Sequence, residues 1–416
     1  MSEWDNLSEQ LRKLGVTIGA QKSDLVSPKK RWPIETVLEC NETQTPSGVI
    51  LSAKHRFDAS YAQGKVQLAP STQFNKLLQW AHISIEENIK LENLIFLDTE
   101  TTGLSHGTGT MAFMVGVGKF EKDIFGKVQF ILEQFFLRNP SEEEAFLYAL
   151  SLFCKDMKAV VTYNGKAFDI PILNTRHILQ RVPSPFVDAY HIDLLTISRQ
   201  LWRLRLTQCR LANIEQSILE FEREGGEVPG YLAPEFYKDY LQTGDARPLK
   251  GVFYHNQEDV VSLAALFSLV AKILENPTSE ELIHANDMYS VARVFERLED
   301  IEAAHLLYSR SLQTETDQEL SVRYLLTHAQ FLRKNQDLEG AVSLWTQAAE
   351  LDNVEALICL AKHYEHKTKD LQSALTMTLK ALEIVENKCD SANAILEKLY
   401  HRKKRIEDKL TKGSHI

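Results

Sequence analysis

Three short segments carry carboxylates in arrangements that could do chemistry. The first is Asp98-Thr99-Glu100-Thr101-Thr102-Gly103-Leu104, which directly follows the apolar run Leu94-Ile95-Phe96-Leu97. Alternate side chains of a strand share a face, so Asp98 and Glu100 point the same way. Two carboxylates closing an apolar strand are costly unless something compensates their charge. A hard divalent cation does so, because magnesium and manganese favour oxygen ligands. A bare D-x-E is a weak signal, and the Thr-Thr-Gly-Leu turn behind it is what makes this one specific.

The second segment is Asn164-Gly165-Lys166-Ala167-Phe168-Asp169, placed after the strand-like run Val160–Tyr163. Alone, Asp169 reads as an acid in the first turn of a helix. The third is Tyr254-His255-Asn256-Gln257-Glu258-Asp259, leading into Val260-Val261-Ser262-Leu263. His255 and Asp259 stand at i and i+4, on one face of a helix. Alone, this too reads as a solvated helix start with a capping acid. His177 and His191 read as structural, not as ligands.

The elements around these segments are those of a mixed α/β domain. Leu94–Leu97 reads as a doubly buried central strand. Met111–Phe120, Val128–Leu137 and Ala159–Tyr163 read as further strands, and Glu142–Phe153 as a helix behind the Pro140-Ser141 start signal. Upstream, Gly48–Leu51 and Lys65–Leu68 are strand candidates bounded by glycine and proline. Asn276-Pro277-Thr278-Ser279 reads as a linker.

Bulk properties narrow the function classes. The chain has 416 residues and a formal net charge of -10, with 44% hydrophobic and 25% charged residues. That length implies two or three domains. The acidic balance excludes a protein that simply coats phosphates, but suits a site where bound cations reverse the local sign. Cys40, Cys154, Cys209, Cys359 and Cys389 are scattered and form no C-x-x-C pair, against a disulfide framework or structural zinc. With no apolar leader at Met1–Lys13, and with Val260–Leu274 too short to span a bilayer, the expectation is a cytoplasmic protein without membrane contact.

Together the three segments resemble the DEDD exonucleases. Those enzymes carry D-x-E in a first motif, an acid after N-x-x-x-[FY] in a second, and a terminal Asp preceded by Tyr or His in a third. The wording is closer still to the bacterial YprB-like family. Asp98–Leu104 with Gly107-Thr108-Gly109-Thr110, then Asp193-Leu194-Leu195, Ser198-Arg199-Gln200-Leu201-Trp202, and His255-Asn256-x-x-Asp259 fit its pattern over about Pro33–Leu274. The third motif departs from both DEDD subclasses, since His255 is four residues before Asp259 and Tyr254 five before it. Straight helical geometry would present His255; an irregular turn would present Tyr254.

The resemblance implies a ribonuclease H-like fold and hydrolysis of phosphodiester bonds with two divalent cations, Mg2+ or Mn2+, about 3.5–4 Å apart. It implies Asp98, Glu100, Asp169 and Asp259 as metal ligands, with Asp98 bridging. His255 would orient or deprotonate the water, and Thr102 and Asn164 would position the terminal nucleotide. The expected activity is a 3′-5′ exonuclease on ends of single-stranded DNA or RNA. A structure-specific endonuclease and a catalytically dead scaffold are the alternatives. Arg199, Arg203, Arg205 and Arg210 with Trp202 could form a strand track or an ordinary solvated helix face.

Beyond Asp287 the character changes. Ala292, Ala329 and Ala361 are each followed by a second alanine, Ala304, Ala341 and Ala374, twelve, twelve and thirteen residues on. An acid precedes each of these at the same place: Asp300, Asp337 and Asp370. The pattern resembles tetratricopeptide repeats, in which small residues let paired helices pack closely, and such repeats offer a docking surface for a protein partner. The expected organisation is a tail (1–32), a small β-rich extension (33–85), an exonuclease domain with a mixed β-sheet flanked by helices (90–275), and an all-α repeat domain (283–410).

Overall fold

The computed structural model describes residues 32–58, 60–103, 109–223, 228–388 and 393–413. The expected tail, and Leu104, Gly107 and Thr108 of the first motif, lie outside them.

Among the described residues nine strands form: β1 (Asn41–Thr45), β2 (Gly48–Asp58), β3 (Ala62–Gln63), β4 (Val66–Gln67), β5 (Leu94–Thr101), β6 (Ala112–Lys122), β7 (Val128–Phe136), β8 (Ala159–Thr162) and β9 (Tyr190–Asp193). Seven make one sheet in the order β1-β2-β7-β6-β5-β8-β9, while β3 and β4 pair with each other. Strands β1 to β5 along that order run antiparallel to their neighbours, and β5-β8-β9 run parallel. The β-rich segment upstream therefore adds two strands to the edge of the sheet that holds Asp98. Strand β2 runs well beyond Leu51, because residues 51–58 pair along β7.

Helices cover both faces: α1 (Asn75–Trp80), α2 (Glu143–Phe153), α3 (Asp169–Gln180), α4 (Leu194–Trp202), α5 (Ala233–Thr243) and α6 (Leu249–Glu275). Strand β5 alternates between two cores. Leu94 and Phe96 join the one built with α4 and the latter part of α6, and Ile95 and Leu97 the one built with α2, α3 and α5. The Phe96 and Phe267 rings meet edge to face at 5.6 Å, which seats α6 against the Phe96 face. Continuing the alternation, Asp98 faces α6 and Thr99 faces α3.

The C-terminal region is all helical: α7 (Ala285–Arg297), α8 (Ile301–Thr314), α9 (Gln318–Lys334), α10 (Leu338–Glu350), α11 (Val354–His363), α12 (Leu371–Lys388) and α13 (Asn393–Gly413). The recurring alanines sit at the crossings of α7 with α8, α9 with α10, and α11 with α12, and all six are fully buried. The recurring acids begin the second helix of each pair. Asp300, Asp337 and Asp370 accept from the backbone N–H of Ala303, Gly340 and Ser373, satisfying donors a helix start leaves orphaned. Before each acid stands a non-glycine residue in the left-handed region: Glu299 at φ 60°, Gln336 at 68° and Lys369 at 61°. The turn thus repeats in conformation while its sequence drifts.

Asn276–Ser279 turns the chain without parting the two regions. One hydrophobic cluster runs from α6 through Leu282, Ala285 and Met288 into the repeats. Arg205 also pairs with the buried Asp287 at 2.8 Å.

Candidate metal-binding site

The acids converge where the sheet's carboxyl end meets two helices. Asp98 and Glu100 close β5, Asp169 opens α3 from one face, and Asp259 lies on α6 on the other. This end of a parallel β–α unit is where open α/β sheets place their ligands.

Asp98 is held from above. Asn256 Nδ2 donates to Asp98 Oδ2 at 2.9 Å and reaches the Asp98 carbonyl oxygen at 3.3 Å. Asn256 is oriented in turn by Gln134 Nε2, which donates to its Oδ1 at 2.9 Å and to the Phe253 carbonyl at 2.8 Å. The space for Asn256 comes from Gly116, which pairs with Asp98 across β5 and β6. A Cβ at Gly116 would lie 2.2 Å from Asn256 Oδ1. Sequence reasoning quoted Asn256 as part of a motif without giving it a task, and it passed over Gly116 and Gln134. An amide among the acids of a helix start was the available signal.

Asp169 is buried and accepts from the Thr99 hydroxyl. Burial raises its carboxyl to about 6, against the Thr99 hydrogen bond, with Asp193 and Asp259 adding repulsion. Burial likewise pushes Asp98 well above the carboxylate range, reinforced by Asp259, Asp169 and Glu100. Glu100 shifts the same way, through burial and then Asp259 and Asp169. The four acids are thus within electrostatic reach of one another, and their negative charge is undercompensated.

The counter-charge present is Arg223. It clamps the buried Glu215 through two bonds of 2.9 and 2.7 Å, pairs with Asp259, and places Nη1 3.0 Å from His255 Nδ1. Ser262 Oγ completes Glu215 at 2.6 Å. Burial works against the guanidinium's charge, yet Asp259 and Glu215 raise it above its ordinary value. A guanidinium only donates, so His255 Nδ1 accepts and the imidazole proton resides on Nε2. That nitrogen lies 3.5 Å from Asp259 Oδ2. Helix α6 is regular from Leu249, so His255, and not Tyr254, stacks over Asp259.

The two residues expected to position a nucleotide serve the loops that border the acids. Thr102 Oγ1 accepts from Met111 N at 3.0 Å, and Thr102 N donates to the Met111 carbonyl at 2.9 Å, which closes the loop between β5 and β6. Asn164 is exposed and left-handed, at φ 68°. Its N–H donates to Asp193 Oδ1 at 2.9 Å, while Lys166 N reaches Oδ2 at 3.3 Å. Asp193 also caps α4 through Leu195 N at 3.0 Å, so it pins the Asn164–Asp169 loop to the neighbouring strand. His191 Nε2 bonds Thr162 Oγ1 at 2.8 Å, and His177 Nδ1 meets the Val182 carbonyl at 3.3 Å; both are structural. Trp202 is buried and Arg205 is committed to Asp287, so neither belongs to a strand track or to a solvated helix face, the two readings open from the sequence.

A cluster of hard oxygen donors with unrelieved repulsion suits a divalent cation in kind. Among the described residues, no group of three or more His, Cys, Asp or Glu side chains is already drawn close enough to hold one. The physical reason is visible: Asp259 is turned to Arg223, Asp169 to Thr99, and Asp98 to Asn256.

Residues 95–271 match the model of the RNase H superfamily, the span from β5 through most of α6. The chain is also similar to YprB of Bacillus subtilis (strain 168), 32% identical over 323 residues that cover 76% of this chain and 74% of that protein. The chain belongs to the YprB family. This YprB-family chain thus carries an RNase H-like, nuclease-type domain, a kind that generally uses divalent metals and whose fold suggests nucleic-acid binding. Among its described residues no helix is long and apolar enough to cross a membrane.

Proposed function

We propose that this protein is a metal-dependent 3′-5′ exonuclease acting on ends of single-stranded nucleic acid. The observation that carries the reading is the mutual repulsion of Asp98, Glu100, Asp169 and Asp259 at the carboxyl end of the sheet. Proteins seldom hold buried acids together unless a cation or a shared proton uses them.

Asp98, Glu100, Asp169 and Asp259 would hold the ions. When bound, divalent cations acidify water and stabilise charge on the phosphate oxygens. The chain's own groups do the positioning. Asn256 fixes the rotamer of Asp98, the carboxylate central to the cluster. Arg223 holds Asp259 and sets the His255 tautomer. With its proton on Nε2, His255 acts as a donor that orients the attacking water and steadies Asp259, and is not the base. Asn164 and Thr102 border the place where the terminal nucleotide would sit.

The test is incubation of the full chain with Mg2+ or Mn2+ and end-labelled single- and double-stranded DNA and RNA. Stepwise release of mononucleotides from 3′ ends supports the reading. Internal cuts would favour the endonuclease alternative, and inertness on all four substrates would favour a dead scaffold.

A further inference from the structure

Six arginines gather where the nuclease-type domain meets the repeats. Arg199 and Arg203 stand at i and i+4 on and just past α4, and Arg293 and Arg297 stand at i and i+4 on α7, which packs against it. A cleft of about 570 Å³ is lined by these four together with Arg323 of α9. Arg199 and Arg203 also line a second cleft of about 750 Å³, which contains Arg210, Tyr163 and Asn164. The two clefts therefore share a wall and run from the repeats to the loop that ends at Asp169.

All six side chains are exposed, and none forms an ion pair with a described carboxylate. In a chain of net charge -10 that concentration is a local reversal of sign. Arg293 and Arg297 crowd each other: partial burial at the cleft wall and the like charge of Arg293 hold Arg297 below its ordinary value, against the pull of Glu296. Arg176 and Arg405, by contrast, are held by Glu143 and Glu365. Six left uncompensated along one path point to an anionic ligand.

We infer that this two-domain groove binds the phosphodiester backbone of a nucleic-acid strand and leads its end past Asn164 to the carboxylates. The inference rests on the nuclease reading and adds to it the path of the strand and a role for the repeats. Tyr289 and Trp202 are buried and the half-buried Tyr163 is tied to the Cys209 carbonyl at 2.7 Å, so bases find little to stack on. Recognition is of phosphates, independent of sequence and sensitive to salt. An acidic protein segment is the competing occupant.

The test measures fluorescence anisotropy of a labelled oligothymidylate with the full chain in chelator, so that binding is read without cleavage. The variants are Arg199→Ala/Arg203→Ala and Arg293→Ala/Arg297→Ala, with the matching Lys pairs and thermal melts as folding controls. Each Ala pair should weaken binding by at least about tenfold at low salt. Each should also flatten the plot of log affinity against log salt by roughly 1.4, from about 0.7 per phosphate contact on single strands. The Lys pairs should keep most of the binding. Ala pairs with wild-type affinity and salt slope would overturn the groove. So would polyglutamate binding that depends on these arginines and exceeds the oligonucleotide's. Binding that tracks the arginines in a chain that cleaves nothing would keep the groove and sink the nuclease reading instead.

Discussion

Asn256 Nδ2 stands 2.9 Å from Asp98 Oδ2, reaching across from helix to strand through the gap left by Gly116. That one contact couples the sheet, the long helix and a buried carboxylate whose neighbours repel it. Asn256→Ala should remove it and leave one N–H of the Gln134 amide without its acceptor, while the other keeps the Phe253 carbonyl. A buried donor left unsatisfied costs about 1–3 kcal/mol, and groups that orient metal ligands are typically worth about 10–100-fold in affinity or activity. Denaturant melts and Mn2+ titration of the variant measure both.

Gly116→Ala tests the same relationship from below. The added methyl would meet Asn256 Oδ1 at 2.2 Å, so the amide must leave Asp98. We expect a loss like that of Asn256→Ala. The double variant Gly116→Ala/Asn256→Ala should be less damaged than the sum of the singles, because the clash disappears with the amide. Strict additivity in the double-mutant cycle would argue that Gly116 does something else.

The acids' raised ionisation predicts how stability follows pH. Asp169 titrates at about 6 in the fold, above the ordinary value of an unfolded Asp. Below the unfolded value both states are protonated and nothing is lost. Between the unfolded and the folded value only the folded chain keeps the proton, so its stability falls as pH rises across that window and levels off above about 6. Asp98 and Glu100 act in the same direction. The ion-free protein should therefore lose stability on going from about pH 4 to pH 7 through these groups. The rise in melting temperature on adding Mg2+ or Mn2+ should be larger at pH 7.5 than at pH 5. An ion-induced rise that is equal at both pH values would speak against carboxylates as the ligands.

His255 and Tyr254 make opposite predictions. With His255 stacked over Asp259 and its Nδ1 engaged by Arg223, His255→Ala should lower turnover by about 10–100-fold, the usual worth of a group that orients a ligand, and weaken metal binding less. Tyr254→Phe should do little. A crippled Tyr254→Phe beside a near-normal His255→Ala would move the water-orienting role to the phenol and leave the four acids in place.

Much of the candidate site was legible in the sequence because spacing and chemistry coincide there. An apolar strand ending in D-x-E, and an acid behind an Asn-Gly turn, need no tertiary knowledge to be noticed, whereas Asp259, which reads as a helix-start acid, lies well inside α6 (Leu249–Glu275). The repeating alanines and acids were legible for the same reason, since close helix crossing and capping are local demands. Arg223 was not, because among Glu220, Glu222 and Arg223 it reads as a solvated charged run, and only the fold buries it against Glu215 and Asp259. Gly116 was lost inside a strand pattern, where its lack of a side chain matters only to a residue 140 positions away. Only Gly48–Leu51 read as a strand, short of the observed end at Asp58, because the pairing of residues 51–58 with β7 is long-range. Trp202 was read as a candidate stacking platform, yet the core claims it. Asn276–Ser279 read as a linker from composition, while the hydrophobic cluster passes beside it into α7.

The central claim is that the four carboxylates hold the ions that drive phosphodiester cleavage. The most direct measurement follows nucleotide release from an end-labelled single strand by wild type and Asp98→Ala, each with Mn2+ and with chelator. The account predicts release by wild type with Mn2+ alone and none by Asp98→Ala, whose melting temperature without ions should match or exceed wild type as repulsion is relieved. Cleavage by Asp98→Ala near the wild-type rate, or cleavage by wild type in chelator, would contradict it.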